Sequence, residues 1–434
     1  MWQIFNLRVY MLLQEKILHT LKTSFGNAIE WYDFCLFGYF ASTIGKVFFH
    51  SQSSFSSLLL AFATFAVGFL ARPLGGFVFG WIGDRIGRHY SMNLAIIMMG
   101  ISTLAVAVLP GYQTIGIMAP ILLVLIRIMQ GLSAGGQFAS LIVVTTEDKK
   151  LDNKGFYSGV ALTVSVLGFL LASGISYLVV NFSPPEYLTY AWRMTFAIGG
   201  VLLAIYFFLV RSEIQKEFTS FEPDTTKANK NTFQLLWQDH KARFVISTLL
   251  AAVLCVIFYL DFVYLITFFT TYDGLSLNQS LIINSVVLAV ACVLYPFCGL
   301  LSDKYGRANV TIVGLVLHLL LLYPMFQLLL SHNVAHIYLG ALMMTVLLCV
   351  IQSAATPIFS EIFPKSVRSS GCCASYGLGA AISGFAPMLA TQLTHYNVHS
   401  LMYIFLVTLV VGIACVVPLT IKSDKLQLVQ QQPA

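Results

Sequence analysis

Gly80–Arg88 reads GWIGDRIGR, and Gly299–Arg307 reads GLLSDKYGR. Each of these two cassettes follows one long apolar stretch and precedes another. Each is therefore predicted to be a tight, charged turn between two hydrophobic helices. The second cassette repeats the first after about half the chain length, and such a repeat indicates two duplicated halves, the build of many secondary transporters.

The composition places most of the chain in a membrane. Hydrophobic residues make up 58% of the 434 residues and charged residues only 10%, whereas soluble domains carry about 25% charged residues. A membrane-spanning helix needs about 20 apolar residues, so the chain has room for about twelve. The predicted spans are 24–46, 57–82, 91–109, 117–144, 156–180, 191–210, 243–271, 280–301, 309–330, 335–361, 369–391 and 399–421.

Basic residues concentrate before span 1, in every second loop and after span 12, as at Arg85, Lys154 and Arg307. The opposite side carries Lys46, with Arg193 at the start of span 6. Positively charged loops stay in the cytoplasm, so we expect both termini to be cytoplasmic. The net charge of +6 then reflects topology and does not indicate nucleic-acid binding. The chain start shows no transit-peptide pattern, which favours a bacterial inner membrane.

One long polar interruption divides the spans into six and six. The predicted organisation is a cytoplasmic lead-in at 1–23, an N-terminal six-helix bundle at 24–211, a cytoplasmic linker at 212–242, a C-terminal six-helix bundle at 243–421 and a cytoplasmic tail at 422–434. A second repeated signal supports the duplication. Glu147 and Lys154 flank the turn after span 4 with the same spacing as Glu361 and Arg368 after span 10.

These motifs resemble the major facilitator superfamily, whose turn between helices 2 and 3 matches the first cassette. Within it, the chain is similar to the metabolite:proton symporters, which include proline/betaine and 2-oxoglutarate transporters. The residues that carry this similarity are GNAIEWYDF at 26–34, RPLGG at 72–76, Arg127 with Gln130-Gly131, Gly135-Gly136, Trp192-Arg193, and Phe363-Pro364 through Val367-Arg368.

The resemblance implies an all-α membrane protein, with twelve transmembrane helices in two pseudo-symmetric six-helix bundles. It also implies alternating access, with spans 1, 4, 7 and 10 lining a central cavity. One position departs from the branch, which usually has glutamate after the glycine pair of span 4. This chain has Gln137 there, and an amide cannot carry a proton.

Ionisable side chains within the spans are the candidate site, because charge at bilayer depth is costly and tends to be functional. Glu30 and Asp33 are three residues apart in span 1 and share one helical face. With Asp261 of span 7, they are the candidate proton-coupling residues. Arg127 is the candidate for a solute carboxylate, because a guanidinium can bind it through two hydrogen bonds. The other candidate solute-binding residues are Gln130, Gln137, Tyr264 and Gln352.

Each of these assignments has a structural alternative. Arg127 either binds solute or pairs permanently with Asp33 or Glu30 and joins spans 1 and 4. The two acids of span 1 either exchange protons or serve as neutral or paired structural groups, and Asp261 either couples or packs helices. Arg72 is expected to extend to the membrane interface as a structural residue.

The cassettes and the turns after spans 4 and 10 are the candidate gates. Acids and arginines at neighbouring helix ends can bond each other and the helix dipoles, and so stabilise one facing of a transporter. The alternative is a fixed turn anchor that sets topology. The candidate gating residues are Asp84, Arg85, Arg88, Glu147, Asp303, Arg307, Glu361 and Arg368.

We expect proton-coupled symport of a small organic solute, either an amino-acid-like or betaine-like zwitterion or a carboxylate. The expected partners are the solute, protons and the lipid bilayer, for a monomer without cofactor or metal that uses the proton gradient. Gln137 favours one alternative, a proton-independent facilitator or exchanger. A transporter-like solute sensor is another. No pairing of nucleophile and base and no metal-ligand spacing favours an enzyme.

Overall fold

The computed structural model describes residues 24, 26–51, 53–85, 88–135, 141–143, 146, 153–184, 187–220, 238, 240–364 and 367–430. Within those ranges, the backbone alone is described at 80, 81, 83–85, 88–93, 188–189, 207, 209–220, 369 and 421–430.

Each of the twelve predicted spans contains a helix within the described residues. They are α1 (26–39, continued by Ala41–Phe48), α2 (Ser54–Arg85), α3 (Arg88–Val108), α4 (Met118–Ala134), α5 (Lys154–Phe182), α6 (Leu188–Ser220), α7 (Lys241–Tyr272), α8 (Leu277–Tyr305), α9 (Arg307–Leu329), α10 (Val334–Glu361), α11 (Arg368–Ser383 and Ala386–Tyr396) and α12 (Ser400–Gln430). Within the described residues, eight helices are long and apolar enough to cross a membrane, with three shorter apolar helices beside them.

The helices differ from the predicted spans at several ends and at places inside the helices, and two of these differences stand out. α6 continues to Ser220 and α12 to Gln430, beyond the predicted ends at 210 and 421. Hydropathy marks where apolar sequence ends, whereas backbone hydrogen bonds carry a helix on into polar sequence. The other difference is inside α7, where Leu260–Tyr264 forms a π-helical segment that no apolar pattern indicates.

Local sequence signals explain where several helices begin and end. α8 begins with a capping box, in which the Ser276 side chain accepts from the Gln279 backbone N–H and the Gln279 side chain accepts from the Ser276 backbone N–H. α8 ends at Gly306, whose φ of 89° is strained for any residue with a Cβ. The glycine of the second cassette therefore makes the sharp turn from α8 into α9.

The two halves meet mainly along α5 and α8, which run antiparallel. At one end Gly155 contacts Gly299, in the middle Thr163 Oγ1 donates to the Cys292 carbonyl at 2.9 Å, and further along Ser173 Oγ donates to the Leu281 carbonyl at 3.0 Å. We call the end that carries the second cassette the cassette end, and the other the opposite end.

Burial separates central from peripheral helices. In the most apolar stretch of α7, 89% of the residues are buried, against 33% in α12. The outward faces of peripheral helices carry large apolar side chains, such as Val201, Ile205 and Phe208 of α6. A lipid-facing helix needs such a surface. α7 therefore lies at the centre of the molecule, where it meets the charged residues of the N-terminal half.

Candidate functional site

Two acids and two arginines are buried together inside the N-terminal half. Glu30 and Asp33 of α1 are 3% and 0% exposed, and Arg72 of α2 and Arg127 of α4 are 2% and 0% exposed. α4 approaches α2 closely because Gly131 has no side chain, and a Cβ there would overlap the Gly68 carbonyl. This close packing brings both arginines next to α1.

Arg72 lies among aromatic rings beside Glu30. Its guanidinium carbon is 4.1 Å from the Phe69 ring centroid, 4.4 Å from Phe34 and 5.2 Å from Trp31. Its Nη2 is 4.0 Å from Glu30 Oε1. The expectation that Arg72 extends to the membrane interface is therefore wrong. The rings hold the cation inside the protein by cation–π contact.

Arg127 is buried beside Asp33 without a hydrogen bond to any described residue. None of its three guanidinium nitrogens has a hydrogen-bond partner among the described residues, and its guanidinium carbon is 3.8 Å from the Phe37 ring centroid. Asp33 interacts with it electrostatically and accepts a hydrogen bond from Gln130 Nε2 at 2.6 Å. A buried guanidinium without acceptors is costly, so the position is suited to an anionic ligand.

The C-terminal half contributes a second buried polar cluster. Asp261 lies in the π-helical segment of α7 and is 3% exposed. Tyr295 of α8 donates to Gln352 Oε1 of α10 at 2.5 Å, and Asp261 interacts electrostatically with Tyr295. Tyr264 instead shares a hydrogen bond with Thr394 of α11, at 2.8 Å. The structure therefore groups Asp261 with Gln352 and places Tyr264 in a separate contact.

Aromatic rings of the two halves contact each other at the centre. Trp31 contacts Phe258 and Tyr259 of α7, with ring centroids 5.9 and 6.3 Å apart. Tyr259 also meets Phe69 at 4.9 Å, edge to face. Phe169 of α5 meets Phe258 at 5.0 Å. The two buried arginines of the N-terminal half thus lie next to aromatic rings.

At the cassette end, the second cassette binds the start of α5 in the other half. Asp303 Oδ1 accepts from the Gly155 backbone N–H at 2.9 Å, and Asp303 Oδ2 accepts from the Phe156 N–H at 3.0 Å. A carboxylate at a helix N-terminus satisfies free N–H groups and the helix dipole. This contact joins the two halves directly.

Ion pairs extend the same contact. Arg307 Nη2 lies 3.7 Å from Asp303 Oδ1, and Arg307 also contacts Glu361 at the end of α10. Lys154 Nζ lies 4.0 Å from Glu361 Oε1 across the two halves. Arg368 Nε donates to the Phe363 carbonyl at 3.1 Å.

Some predicted site residues lie outside what the structure describes. Gln137 and Glu147 are outside the described residues, and the side chains of Asp84, Arg85 and Arg88 are outside the described side chains. Sequence reasoning missed Tyr295 and the buried position of Arg72. The RPLGG motif at 72–76 was the available signal for Arg72. For Tyr295 no local signal existed, since its partner Gln352 lies on another helix.

Twelve membrane-spanning helices in two halves, closed around a buried charged centre, define a membrane transporter. The chain belongs to the Major Facilitator Superfamily, whose family model matches residues 23–371 and 274–432. It is therefore a multi-pass membrane protein and a transporter, not an enzyme.

Characterised relatives of the chain include two bacterial transporters. The proline/betaine transporter of Escherichia coli K12 is 30% identical over 403 residues, which cover 90% of this chain and 80% of that protein. The citrate-proton symporter of Salmonella typhi is 33% identical over 379 residues, covering 86% of each chain. These relatives carry solutes of different charge, so the family assignment leaves the solute open.

Among solved structures, the proton:xylose symporter XylE, bound to a bromo-deoxy-glucose, superposes with a TM-score of 0.73. The match covers 93% of this chain and 95% of XylE at 15% sequence identity. At that identity the likeness concerns the fold. It confirms the predicted architecture of two six-helix bundles.

Proposed function

We propose that this protein is a proton-coupled symporter of a small organic solute in the bacterial inner membrane, with both termini in the cytoplasm. The proposal rests on one observation above all. Arg127 is fully buried at the centre, is not hydrogen-bonded by any described residue, and interacts electrostatically with the carboxylate of Asp33. Named proton symporters among the relatives support the same mechanism.

In this proposal Arg127 binds the carboxylate of the solute and Asp33 carries the proton. When a solute carboxylate binds Arg127, the positive charge of the guanidinium is shared between Asp33 and the solute. Two carboxylates near one cation repel each other, and a proton on Asp33 removes that repulsion. Solute and proton therefore favour each other's binding, which is the thermodynamic requirement for symport. Glu30 beside Arg72 is the second candidate for proton uptake.

The contact of Asp303 with the start of α5 is proposed as a latch between the halves. Alternating access needs one end of the molecule to open while the other stays closed. The latch consists of hydrogen bonds and ion pairs that separate without disturbing either bundle. On this proposal, opening at the cassette end releases solute to the cytoplasm.

The proposal is tested by uptake into proteoliposomes with acid outside. The labelled solutes are proline, glycine betaine, 2-oxoglutarate, citrate and shikimate. We expect one solute class to accumulate and a protonophore to abolish accumulation. Asp33→Asn is expected to leave exchange of labelled for unlabelled solute but to remove pH-driven accumulation, and Arg127→Lys to weaken both. Asp273→Asn, an acid outside the centre, is the matched control. Full accumulation by Asp33→Asn and Glu30→Gln would exclude these acids as proton sites.

A second candidate is a facilitator or exchanger of the same solutes that works without protons. The observation in its favour is Gln137, at a position where the resembled branch usually has an acid. It predicts counterflow of labelled solute but no accumulation under an imposed pH gradient. The same proteoliposome assay therefore separates the two candidates.

A further inference from the structure

One buried carboxylate lies apart from the charged cluster of the N-terminal half. Asp261 is 3% exposed, and neither of its carboxyl oxygens has a hydrogen-bond partner among the described residues. In the other half, Glu30 faces Arg72 and Asp33 faces Arg127. No lysine or arginine is buried in the described part of the C-terminal half, so Asp261 has no equivalent partner.

The groups next to Asp261 do not supply the missing hydrogen bonds. Asp261 interacts electrostatically with Tyr295 and Cys349. Tyr295 uses its only proton to bond Gln352, and a thiol is a weak donor. Leaving a buried acceptor without a donor is costly. Within the described residues the two carboxyl oxygens of Asp261 therefore accept no hydrogen bond, and they suit a group that brings its own N–H bonds.

The backbone around Asp261 supports a binding role. Leu260–Tyr264 is π-helical inside an otherwise α-helical α7. A single π turn within a long α-helix is less stable than the α-helix it interrupts, and such turns occur frequently at functional sites. The turn separates Tyr259, which faces Phe69 in the N-terminal half, from Tyr264, which bonds Thr394. Asp261 lies between these two anchors.

Asp261 and Arg127 lie at one depth on opposite halves. Trp31 of α1 contacts Phe258 and Tyr259 of α7, and further along Gly38 of α1 contacts Val263. These contacts place the stretch of α1 with Asp33 and Phe37 level with Asp261. Arg127 packs on Phe37. A buried cation and a buried anion, neither hydrogen-bonded by a described residue, thus lie at a similar depth in the two halves.

We propose that Asp261 binds the protonated amino group of the solute while Arg127 binds its carboxylate. The solute is then an amino-acid-like zwitterion that carries at least one N–H bond. This inference rests on the proposed function for the role of Arg127, and it assigns Asp261 to the solute instead of to the proton. A solute held by opposite charges on opposite halves draws the halves together, so its binding is coupled to closure.

The proposal separates three solute classes by their chemistry. A primary or secondary ammonium donates hydrogen bonds to Asp261. A quaternary ammonium has no N–H bond and donates to neither carboxyl oxygen of Asp261, although aromatic rings such as those at the α1–α7 contact attract any cation. A di- or tricarboxylate places a second negative charge against Asp261, which is unfavourable at this depth. The expected order of affinity is therefore amino acid, then betaine, then polycarboxylate.

The first experiment measures binding to the purified full-length protein by isothermal titration calorimetry. The probes are the twenty standard amino acids, 2-oxoglutarate, citrate and shikimate. The best-bound amino acid is then compared with its fully N-methylated betaine and with the acid that lacks the amino group. We expect the amino acid to bind about tenfold or more tightly than either derivative, since it alone brings charged N–H donors. Binding only of polycarboxylates, binding of no amino acid, or equal binding of the betaine would overturn the proposal.

The second experiment repeats the series with Asp261→Asn. We expect affinity for the amino acid to fall about 10- to 100-fold, and affinity for the acid without an amino group to stay the same or rise. An unchanged preference for the amino group would overturn the assignment of Asp261. Where Asp261→Asn does not fold, the ligand series on the unaltered protein decides alone.

Arg127→Lys separates this inference from the proposed function. If it weakens every carboxylate probe equally while Asp261→Asn has no selective effect, the proposed carboxylate site stands and the inference about Asp261 fails. If Arg127→Lys binds all probes as the unaltered protein does, the proposed carboxylate site fails. The response of Asp261→Asn to the amino group is then still decisive for Asp261.

Discussion

The two ends of the α5–α8 interface join the halves of this transporter by different chemistry. At the cassette end a carboxylate, Asp303, holds two backbone N–H groups of α5. At the opposite end Asn278 donates to Asn181 Oδ1 at 2.9 Å, between two neutral amides. Hydrogen bonds to charged groups contribute about 1.5–3 kcal/mol and neutral ones about 0.5–1.5 kcal/mol. We therefore expect the empty transporter to open more readily at the opposite end.

The largest effect is expected from Asp303→Asn. The change removes the charge that holds the start of α5 and the ion pair with Arg307, so the cassette end opens more often. We expect the rate at which N-ethylmaleimide alkylates Cys292, half-buried at the α5–α8 interface, to rise about 10- to 100-fold. Peptide mass spectrometry of membranes treated with the reagent measures it.

The matched control for Asp303→Asn is Lys304→Gln. Lys304 is exposed on the same turn, and its Nζ lies 5.1 Å from the Tyr305 ring centroid. In the Lys304→Gln variant we expect N-ethylmaleimide to alkylate Cys292 at the same rate as in the unaltered protein. Equal alkylation rates for Asp303→Asn and Lys304→Gln would show that the carboxylate does not hold the cassette end closed.

The next effect concerns backbone packing in the cassette half of the interface. A Cβ at Gly159 would overlap the Tyr295 carbonyl and approach the Pro296 Cα to 2.8 Å, whereas a Cβ at Gly174 of the same helix meets nothing within 4 Å. Gly159→Ala is expected to destabilise the closed state by about 1–3 kcal/mol, while Gly174→Ala is neutral or stabilising by about 0.5–1 kcal/mol. Cys292 alkylation and thermal unfolding in detergent measure both variants. Identical behaviour of the two would show that the close approach of α5 to α8 at Gly159 does not stabilise the closed state.

A weaker effect is expected from the acid at the opposite end, Asp273. Burial raises the pKa of this carboxyl to about 6, although His332, whose Nδ1 is 3.4 Å away, lowers it. Because this pKa is raised on folding, the protein loses stability as the pH rises from about 4 through about 6. Asp273→Asn is expected to remove this dependence and to stabilise the protein at pH 7 by about 1 kcal/mol or less, since the exposed His332 offsets part of the cost of burying the charge.

Thermal unfolding at pH 4, 5, 6 and 7 measures the Asp273 effect, with and without the substitution. The pair joins the end of α7 to the turn before α10 within one half. Cys292 alkylation is therefore expected to stay unchanged. A change in alkylation would mean that this charge also controls the contact between the halves.

Much of the cassette end could be predicted from sequence, because its signal is local and repeated. The spacing of two similar turns indicated gates that include Asp303, Arg307 and Glu361, and the structure brings these three together. The partner of Asp303 could not be predicted. The partner consists of backbone N–H groups of α5, which almost every residue type has. Only the packing of the two halves brings these groups next to Asp303.

The centre was less accessible to sequence reasoning. Hydropathy placed Glu30, Asp33 and Asp261 at bilayer depth, and the structure buries all three. Hydropathy could not show that aromatic rings hold Arg72 inside the protein, since those rings come from different helices. Nor could it show the π-helical turn at Asp261, because the apolar pattern of α7 continues through it.

The smallest effect is expected from Asn278→Ala at the opposite end. The amide pair with Asn181 is exposed and neutral, so water replaces the lost bond and the change costs about 0.5 kcal/mol. We expect Cys292 alkylation to rise less than about threefold, far below the effect of Asp303→Asn. An increase as large as that of Asp303→Asn would show that the two ends hold the halves equally. The double variant Asn181→Ala/Asn278→Ala checks the pair, because two residues that act only on each other cost no more together than either alone.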